Sequence, residues 1–340
     1  MRFTKKHIIA LILVIGIAFF ISAYKLPYYI YKPGGADALN PIVEVEEGYQ
    51  SEGDMHLVTV RGGQATPVQY LWAKILPNQD IMPLNKVRPE GVSQDEYFHA
   101  QLQMMESSQE ASTVVAYEAA NEDISIDYNG VYVVSVVEGM PAEEVLKTGD
   151  RIVGIDGSSI DESSDLIGYV EDKQAGDTIT VDVVRDEKQI EKEVTLMEFP
   201  EQANKVGIGI QLVTDRSVEV EPEVSFSSGS IGGPSAGLMF SLEIYDQLTE
   251  EDLTKGYQIA GTGEVDYQGN VLRIGGIDKK VIAADQEGCD IFFAANNEEA
   301  KNSNYEEASK TAEEIGTDME IVPVKSFDDA LQYLQDLEPA

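Results

Sequence analysis

Histidine is scarce in this 340-residue chain and cysteine nearly absent. The three histidines, His7, His56 and His99, all lie in the first third, and Cys289 is the single cysteine. One thiol cannot close an intrachain disulfide. Without Cys and His at ligand spacing, a structural zinc site is not expected. Basic residues are few as well: 24 Lys and Arg face 61 Asp and Glu, a net charge of −37. A surface so negative repels phosphate backbones, which excludes nucleic acid as a partner. It reads most simply as a heavily solvated acidic face. No EF-hand spacing organises the carboxylates, and neither a metal nor another cofactor is expected. The run G-x-x-x-x-G-K-[ST] is missing too, so this sequence holds no P-loop for ATP-driven unfolding.

Residues 8–23, by contrast, are wholly apolar or uncharged. Arg2, Lys5 and Lys6 precede them, and Tyr24, Lys25, Tyr28, Tyr29 and Tyr31 follow. A bilayer core takes about 17–25 helical residues, so a span over 8–24 is at the short end and draws on flanking Lys and Tyr for anchoring. The first acid is Asp37. Basic residues before the span and acids after it place residues 1–7 in the cytoplasm and the bulk outside the membrane. A cleavable leader is the alternative, with Ile21-Ser22-Ala23 as a weak processing site. Lys32-Pro33-Gly34-Gly35 reads as a break between this segment and the rest.

The remaining chain, in a sequence 43% hydrophobic, is long enough for two or three modules with cores of their own. Alternation predicts strands over 42–46 and 55–60, and helical spacing of Tyr97, Leu102, Met105, Ala111, Val115 and Ala119 predicts a helix over 93–120. From about 121 the style changes to short strands with turns: 131–137, 149–157 and 179–184, with a helix over 163–173 between them. From about 200 it becomes mixed α/β. Strands over 206–213 and 218–226 lead to a glycine-rich loop and a helix. A strand pair over 258–265 and 271–274 turns at Tyr267-Gln268-Gly269-Asn270. A helix ending at Gly288, strands over 289–295 and 319–324, and a helix over 327–337 complete the pattern.

Chemistry concentrates at two places. Gly232-Gly233-Pro234-Ser235-Ala236-Gly237 puts a serine where a glycine-rich loop becomes a helix. Alone, such a loop could equally bind an anion at the helix N-terminus. The run also fits G-x-S-x-G, but that hydrolase elbow requires a later histidine, and none follows His99. A serine nucleophile needs a proton acceptor, and Lys279 and Lys280 open a second helix. At about 100° per residue, Val281, Ala284 and Gly288 fall within about 40° of Ile277, Lys280 within about 60°, and Lys279 about 160° away. Lys280 is therefore expected in the core and Lys279 in water. A buried lysine can act as a base once its pKa falls from about 10.4 towards 7–8, a shift of roughly 3–5 kcal/mol. Ser235 and Lys280 are the expected catalytic pair, with backbone N–H groups of Ser235 and a neighbouring glycine at the oxyanion.

Two family resemblances sharpen this reading. Gly149-Asp150-Arg151-Ile152-Val153-Gly154-Ile155-Asp156-Gly157, with residues 139–143 before it, resembles a PDZ domain over about 127–196. That resemblance implies a peptide-carboxylate loop at Asn129, Gly130, Val131 and Tyr132. It also implies peptide pairing along 131–137, under a helix over 163–173. A small β-domain serving only as a spacer is the alternative. The second resemblance rests on Gly-Pro-Ser-Ala-Gly, Gly261-Thr262-Gly263-Glu264-Val265, residues 269–276 and the Lys280 helix. Together they resemble the proteolytic domain of Lon proteases. It implies a Ser235–Lys280 dyad, supported by Thr262 and by Gly233 and Pro234 of the serine loop. Met104-Met105-Glu106-Ser107-Ser108-Gln109-Glu110-Ala111 also resembles a Lon segment.

The expected fold is thus α+β, or mixed α/β: a Lon-type domain formed by 40–120 and 200–340, with a PDZ-like domain over 121–199 and one transmembrane helix in front. That order is similar to the YlbL/SepM-type Lon-like proteases. The resemblance implies an ATP-independent, membrane-held serine endopeptidase outside the bacterial cytoplasm, acting on peptides or on unfolded or single-pass membrane substrates. A homo-oligomer is open by analogy with ring-forming Lon domains. A non-enzymatic PDZ adaptor or holdase on the same scaffold is the alternative.

Overall fold

A computed structural model describes residues 5–88, 93–199, 205–296 and 303–340. Arg2 of the basic N-terminal cluster and residues 200–204, where the catalytic part was expected to begin, lie outside them. The chain divides into two compact units. One comprises Met1–Asp123 with Val220–Ala340, the other Ile124–Glu219.

Hydrophobic runs set the centre of the first unit. Ile291–Ala295 is buried at every position, as expected for a strand covered on both faces. It lies in a six-stranded sheet ordered Glu320–Val324, Ile291–Ala295, Gln258–Thr262, Asp54–Gln64, Tyr28–Ala38, Asp80–Pro83. The first four strands run parallel, and Tyr28–Ala38 is antiparallel to both its neighbours. Successive side chains point to opposite faces. Phe292 joins Val58, Ala260, Ile277, Val281, Ala284 and Ala308 on one face, where the helices Ile277–Glu287 and Asn304–Ile315 pack. Phe293 points the other way and meets the Tyr333 ring edge-on at 5.6 Å. On that side lie the helix Gly237–Leu248 and the terminal helix Phe327–Gln335, joined by Tyr245 against Phe327 at 6.0 Å.

The long helix Gln94–Ala120 begins with a reciprocal cap between Ser93 and Glu96 and ends on Asn121 in the left-handed conformation. Its second half is buried from Ala111 to Tyr117 and packs on Gly237–Leu248.

One expectation is overturned here. Lys32-Pro33-Gly34-Gly35 does not break the chain; it lies within the strand Tyr28–Ala38. The ladder skips between Pro33 and Ala36, a bulge that accommodates a residue with no N–H to donate. Gly34 is needed because a Cβ there would stand 2.4 Å from the Thr59 carbonyl oxygen. The Gly35 N–H is taken by Thr59 Oγ1 at 3.0 Å.

N-terminal to this strand, Lys5–Ala23 forms one apolar helix with mean hydropathy 2.3 and, among its described side chains, none buried. Its length and composition suffice to cross a membrane.

In the second unit, five strands follow the order Ile210–Glu221, Asp123–Val136, Arg151–Ile155, Thr178–Arg185, Lys188–Thr195, with Ser158–Ser159 paired to Arg151–Ile155. The helix Ser163–Glu171 buries Leu166 and Val170 against a core that includes Val131, Ile152, Ile155 and Val181. The sequence predicts separate strands over 206–213 and 218–226, but the end of the first and the start of the second belong to one strand, Ile210–Glu221, in this sheet. Val224–Phe226 pairs with Val43–Val45 in the first unit.

The close packing around Phe292 gives a first prediction. Phe292→Ala should destabilise the first unit by about 3–5 kcal/mol through lost burial and a residual cavity. The check is the urea midpoint of the chain, and an unchanged midpoint would contradict this account of the sheet.

Candidate active site

The serine loop is held from three directions. Gly233, at φ +92°, donates its N–H to the Gln101 carbonyl at 2.8 Å. Ser108 Oγ donates to the Pro234 carbonyl at 2.9 Å, and Ser112 Oγ to that of Gly237 at the same distance. All three partners come from the long helix. On the opposite side, Gly263 N–H and Thr262 Oγ1 donate to the Ser235 carbonyl at 3.1 and 2.8 Å. Gly237 permits this convergence, since a Cβ there would lie 2.8 Å from the Val265 nitrogen. Ser235 is left half-buried at the entrance to its helix. Its own N–H and that of Ala236 meet no hydrogen-bond partner among the described residues.

The helix Ile277–Glu287 starts at Gly276, at φ +70°, and ends at Gly288, also left-handed. It carries Lys280 into the interior, where the residue is 3% exposed. Lys280 Nζ lies 2.6 Å from Ser235 Oγ and 2.8 Å from Thr262 Oγ1. Burial lowers its pKa to about 7. Thr262 sets the direction of the remaining contact. Its hydroxyl proton goes to the Ser235 carbonyl, so its oxygen accepts from Lys280. An uncharged Lys280 amine then turns its lone pair to Ser235 Oγ. Serine, lysine and threonine are thus brought together, with Gly233 and Pro234 in the loop that carries the serine.

Lys279 departs from expectation. The helical wheel assigned it to water, yet it is as buried as Lys280. It bridges to Asp80 at 2.8 Å and to Asp278. Burial alone would lower its pKa, but the two carboxylates outweigh that and raise it. A single-helix wheel misses this because Asp80 belongs to a strand distant in sequence.

Ser235, both lysines and Asp80 line one cleft of about 1010 Å³, together with Tyr31, Val60, Met82, Tyr97, Arg61 and Arg273. Glu264 also lines it, its carboxyl pushed up by burial and then by Asp266. Among the described residues, no group of three His, Cys, Asp or Glu is placed to hold a metal. Ser108 and Gln101 were not singled out from sequence. The segment 104–111 was flagged and contains Ser108, but not Gln101, and the hydroxyl-to-carbonyl clamp is visible only in three dimensions.

The residues expected to bind peptide in the second unit lie within a strand that is paired on both sides. Asn129, Gly130, Val131 and Tyr132 lie inside Asp123–Val136, with Val131 opposite Ile152 and Tyr132 opposite Arg151. Val131 is fully buried, and a Cβ on Gly130 would come 2.4 Å from the Ile152 carbonyl oxygen. That strand has neighbours on both sides, so it cannot accept a further one. The edge of the sheet is Ile210–Glu221. Between its first residues and Ser163–Glu171 runs a groove of about 610 Å³, lined by Leu166, Ile167, Val170, Ile208, Ile210 and Leu212. At its end, the carbonyls of Ile208 and Gly209 accept from Ala142 and Val137 at 2.9 Å. The N–H groups of the same two residues meet no acceptor among the described residues. The signal was Val206-Gly207-Ile208-Gly209-Ile210, whose alternation passes for an ordinary strand.

Residues 182–336 match the Lon protease (S16) C-terminal proteolytic domain, and residues 101–196 match the PDZ domain. The chain is thus similar in one part to a Lon-type proteolytic domain and in another to a PDZ domain, a pairing consistent with a Lon-like protease with a PDZ module. It is 32% identical over 102 residues to the Lon protease of Aster yellows witches'-broom phytoplasma, covering 30% of this chain and 12% of that protein. The Lon protease of Campylobacter jejuni is 37% identical over 102 residues, again 30% of this chain and 12% of the relative. The chain thus spans a small part of the curated relatives it matches. The PDZ domain of the SdrC-like protein from Listeria monocytogenes is 37% identical, covering 25% of this chain and 90% of that one, with a TM-score of 0.24.

Two outcomes are expected from these sites. The Lys280 amine is charged below about 7 and uncharged above it. Acylation of Ser235 by a serine-directed reagent should therefore rise with pH through about 7 and then level off. A rate flat from pH 5 to 9 would contradict the assignment. In the second unit, Ile167→Asp should weaken binding of an extended peptide at least roughly tenfold by placing a charge in the apolar groove. Titration calorimetry reads this, with Tyr132→Ala expected to have little effect on the contact itself.

Proposed function

We propose that this chain is an ATP-independent serine endopeptidase that uses Ser235 as nucleophile and Lys280 as general base. The observation that carries the proposal is the 2.6 Å approach of Lys280 Nζ to Ser235 Oγ inside a buried site. Ser235 Oγ attacks the scissile carbonyl while its proton passes to Lys280 Nζ. The oxyanion of the tetrahedral adduct is received by the N–H groups of Ser235 and Ala236. Lys280 then gives the proton to the departing amine as the C–N bond breaks, leaving an acyl-serine. A water molecule loses a proton to Lys280, attacks the acyl carbon, and releases the second product as Ser235 recovers its proton. Thr262 positions the lysine throughout. The low polarity of the site supports this chemistry, because it keeps an amine basic yet uncharged near neutral pH.

The apolar helix Lys5–Ala23 holds the enzyme in the cell membrane, with the catalytic bulk outside the cytoplasm; its hydropathy and the basic residues before it support this. The groove beside Ile210–Glu221 takes an extended peptide by strand addition, its free N–H groups receiving a carboxylate or carbonyl. Substrates are accessible peptides, or unfolded or single-pass membrane proteins, since the sequence has no P-loop to drive unfolding. A purely adaptor role does not account for a lysine buried against a serine without an acidic partner.

Mass mapping of products from a panel of extracytoplasmic peptides tests the proposal. Ser235→Ala and Lys280→Ala should each lower turnover by roughly 10³-fold or more, and the double variant should lose little beyond either. Undiminished cleavage by Lys280→Ala would remove lysine as the base, and cleavage by Ser235→Ala would remove the mechanism.

A further inference from the structure

Four large apolar side chains stand in solvent next to the exit of the apolar helix. Leu71, Trp72, Ile75 and Leu76 are all exposed, Trp72 at 56% and Ile75 at 74%. They occupy the end of the short helix Pro67–Ala73 and the turn after it. Contiguous exposed apolar surface of this kind marks a contact with a partner or a membrane.

The surroundings decide which. The helix Pro67–Ala73 touches the apolar helix Lys5–Ala23. Just beyond the latter, the Leu26 N–H donates to the Ala65 carbonyl at 2.8 Å, and Gln64 Nε2 donates to the Leu26 carbonyl at 3.0 Å. Tyr28 packs on Tyr70 at 4.9 Å. The patch is therefore fixed to the very residues that leave the apolar helix. Charge points the same way. In a chain with 61 acids, none lies between Asp54 and Asp80, while Lys25 and Lys74 flank the patch and are exposed. Lys74 lies over the Tyr70 ring at 4.6 Å. Tryptophan, aliphatic side chains and lysine without acids form the composition of a surface that enters a headgroup layer.

We infer that Leu71, Trp72, Ile75 and Leu76 form a second membrane contact, inserted at the headgroup–acyl boundary of the leaflet from which Lys5–Ala23 emerges. Lys25 and Lys74 meet lipid phosphates beside it. The inference rests on the membrane-held reading above and adds to it a fixed orientation. A helix alone would let the catalytic unit swing, whereas two attachments hold it. The strand Asp80–Pro83, four residues beyond Leu76, carries Asp80 and Met82 into the catalytic cleft, so the contact bears on the cleft entrance.

Trp72 is the only tryptophan in the chain, so its emission reports this contact without a label. The full-length chain is reconstituted in vesicles of phosphatidylcholine with a minor share of phosphatidylglycerol, with and without brominated acyl chains. The expected result is that the chain resists alkaline extraction, that bromine lowers Trp72 emission roughly twofold or more, and that iodide has little access. Ile75→Glu should weaken the bromine effect. A chain that stays in the vesicles while iodide quenches Trp72 and bromine does not would overturn the second contact alone. Shielding from both quenchers would mean that protein, such as a second copy, covers the patch, and would overturn it as well. Release of the chain by alkali would overturn the membrane-held reading and this inference with it.

Discussion

An ammonium ion surrounded by hydrocarbon loses hydration that a single hydroxyl cannot replace, and Lys280 is in that position. Its neighbours at the amine are Ser235 and Thr262, both neutral. Burial is the only cause of its lowered pKa, with no carboxylate opposing it. The surrounding fold can be understood as maintaining that condition. The sheet supplies Thr262, the helix Ile277–Glu287 supplies the amine and its apolar wall, and the long helix pins the serine loop so that Oγ is presented to the amine. Loosening any of these would admit water and restore the charge.

The adjacent lysine shows how finely the environment decides. Lys279 and Lys280 are consecutive, both little exposed and on the same helix, yet their pKa values move in opposite directions. The difference lies in Asp80 and Asp278 beside Lys279, and in the deeper burial of the Lys280 amine. A cation paired with two carboxylates stays charged. A cation paired with none gives up its proton. One helical turn thus carries an amine that burial discharges and, next to it in sequence, an ammonium that two carboxylates keep charged.

Much of this was legible in the sequence because the elements that carry Ser235 and Lys280 are local. The glycine-flanked serine, the helix ending at Gly288 and the place of Lys280 within an apolar stripe all follow from spacing along one segment. What was not legible depends on partners distant in the chain. Lys279 needed Asp80. The strand through Pro33 and Gly34 needed Thr59, whose close approach makes the glycine necessary. That Asp123–Val136 lies between two neighbours was not legible either, because composition does not say which strand ends a sheet. Only the order of strands shows that Ile210–Glu221 has the free edge.

The strand Tyr28–Ala38 also acts as a ruler. It follows the apolar helix almost at once, and Tyr31 already lines the cleft that holds Ser235. About eight residues separate Ala23 from Tyr31, and even a fully extended chain spans no more than about 3.6 Å per residue, so the tether is at most roughly 29 Å long. With the helix in a bilayer, the cleft wall cannot stray farther than the thickness of one small domain from the lipid. Bonds close to where a substrate emerges from the membrane would come within range, and those behind a bulky folded ectodomain would not. Selection by altitude would then precede any selection by side chain.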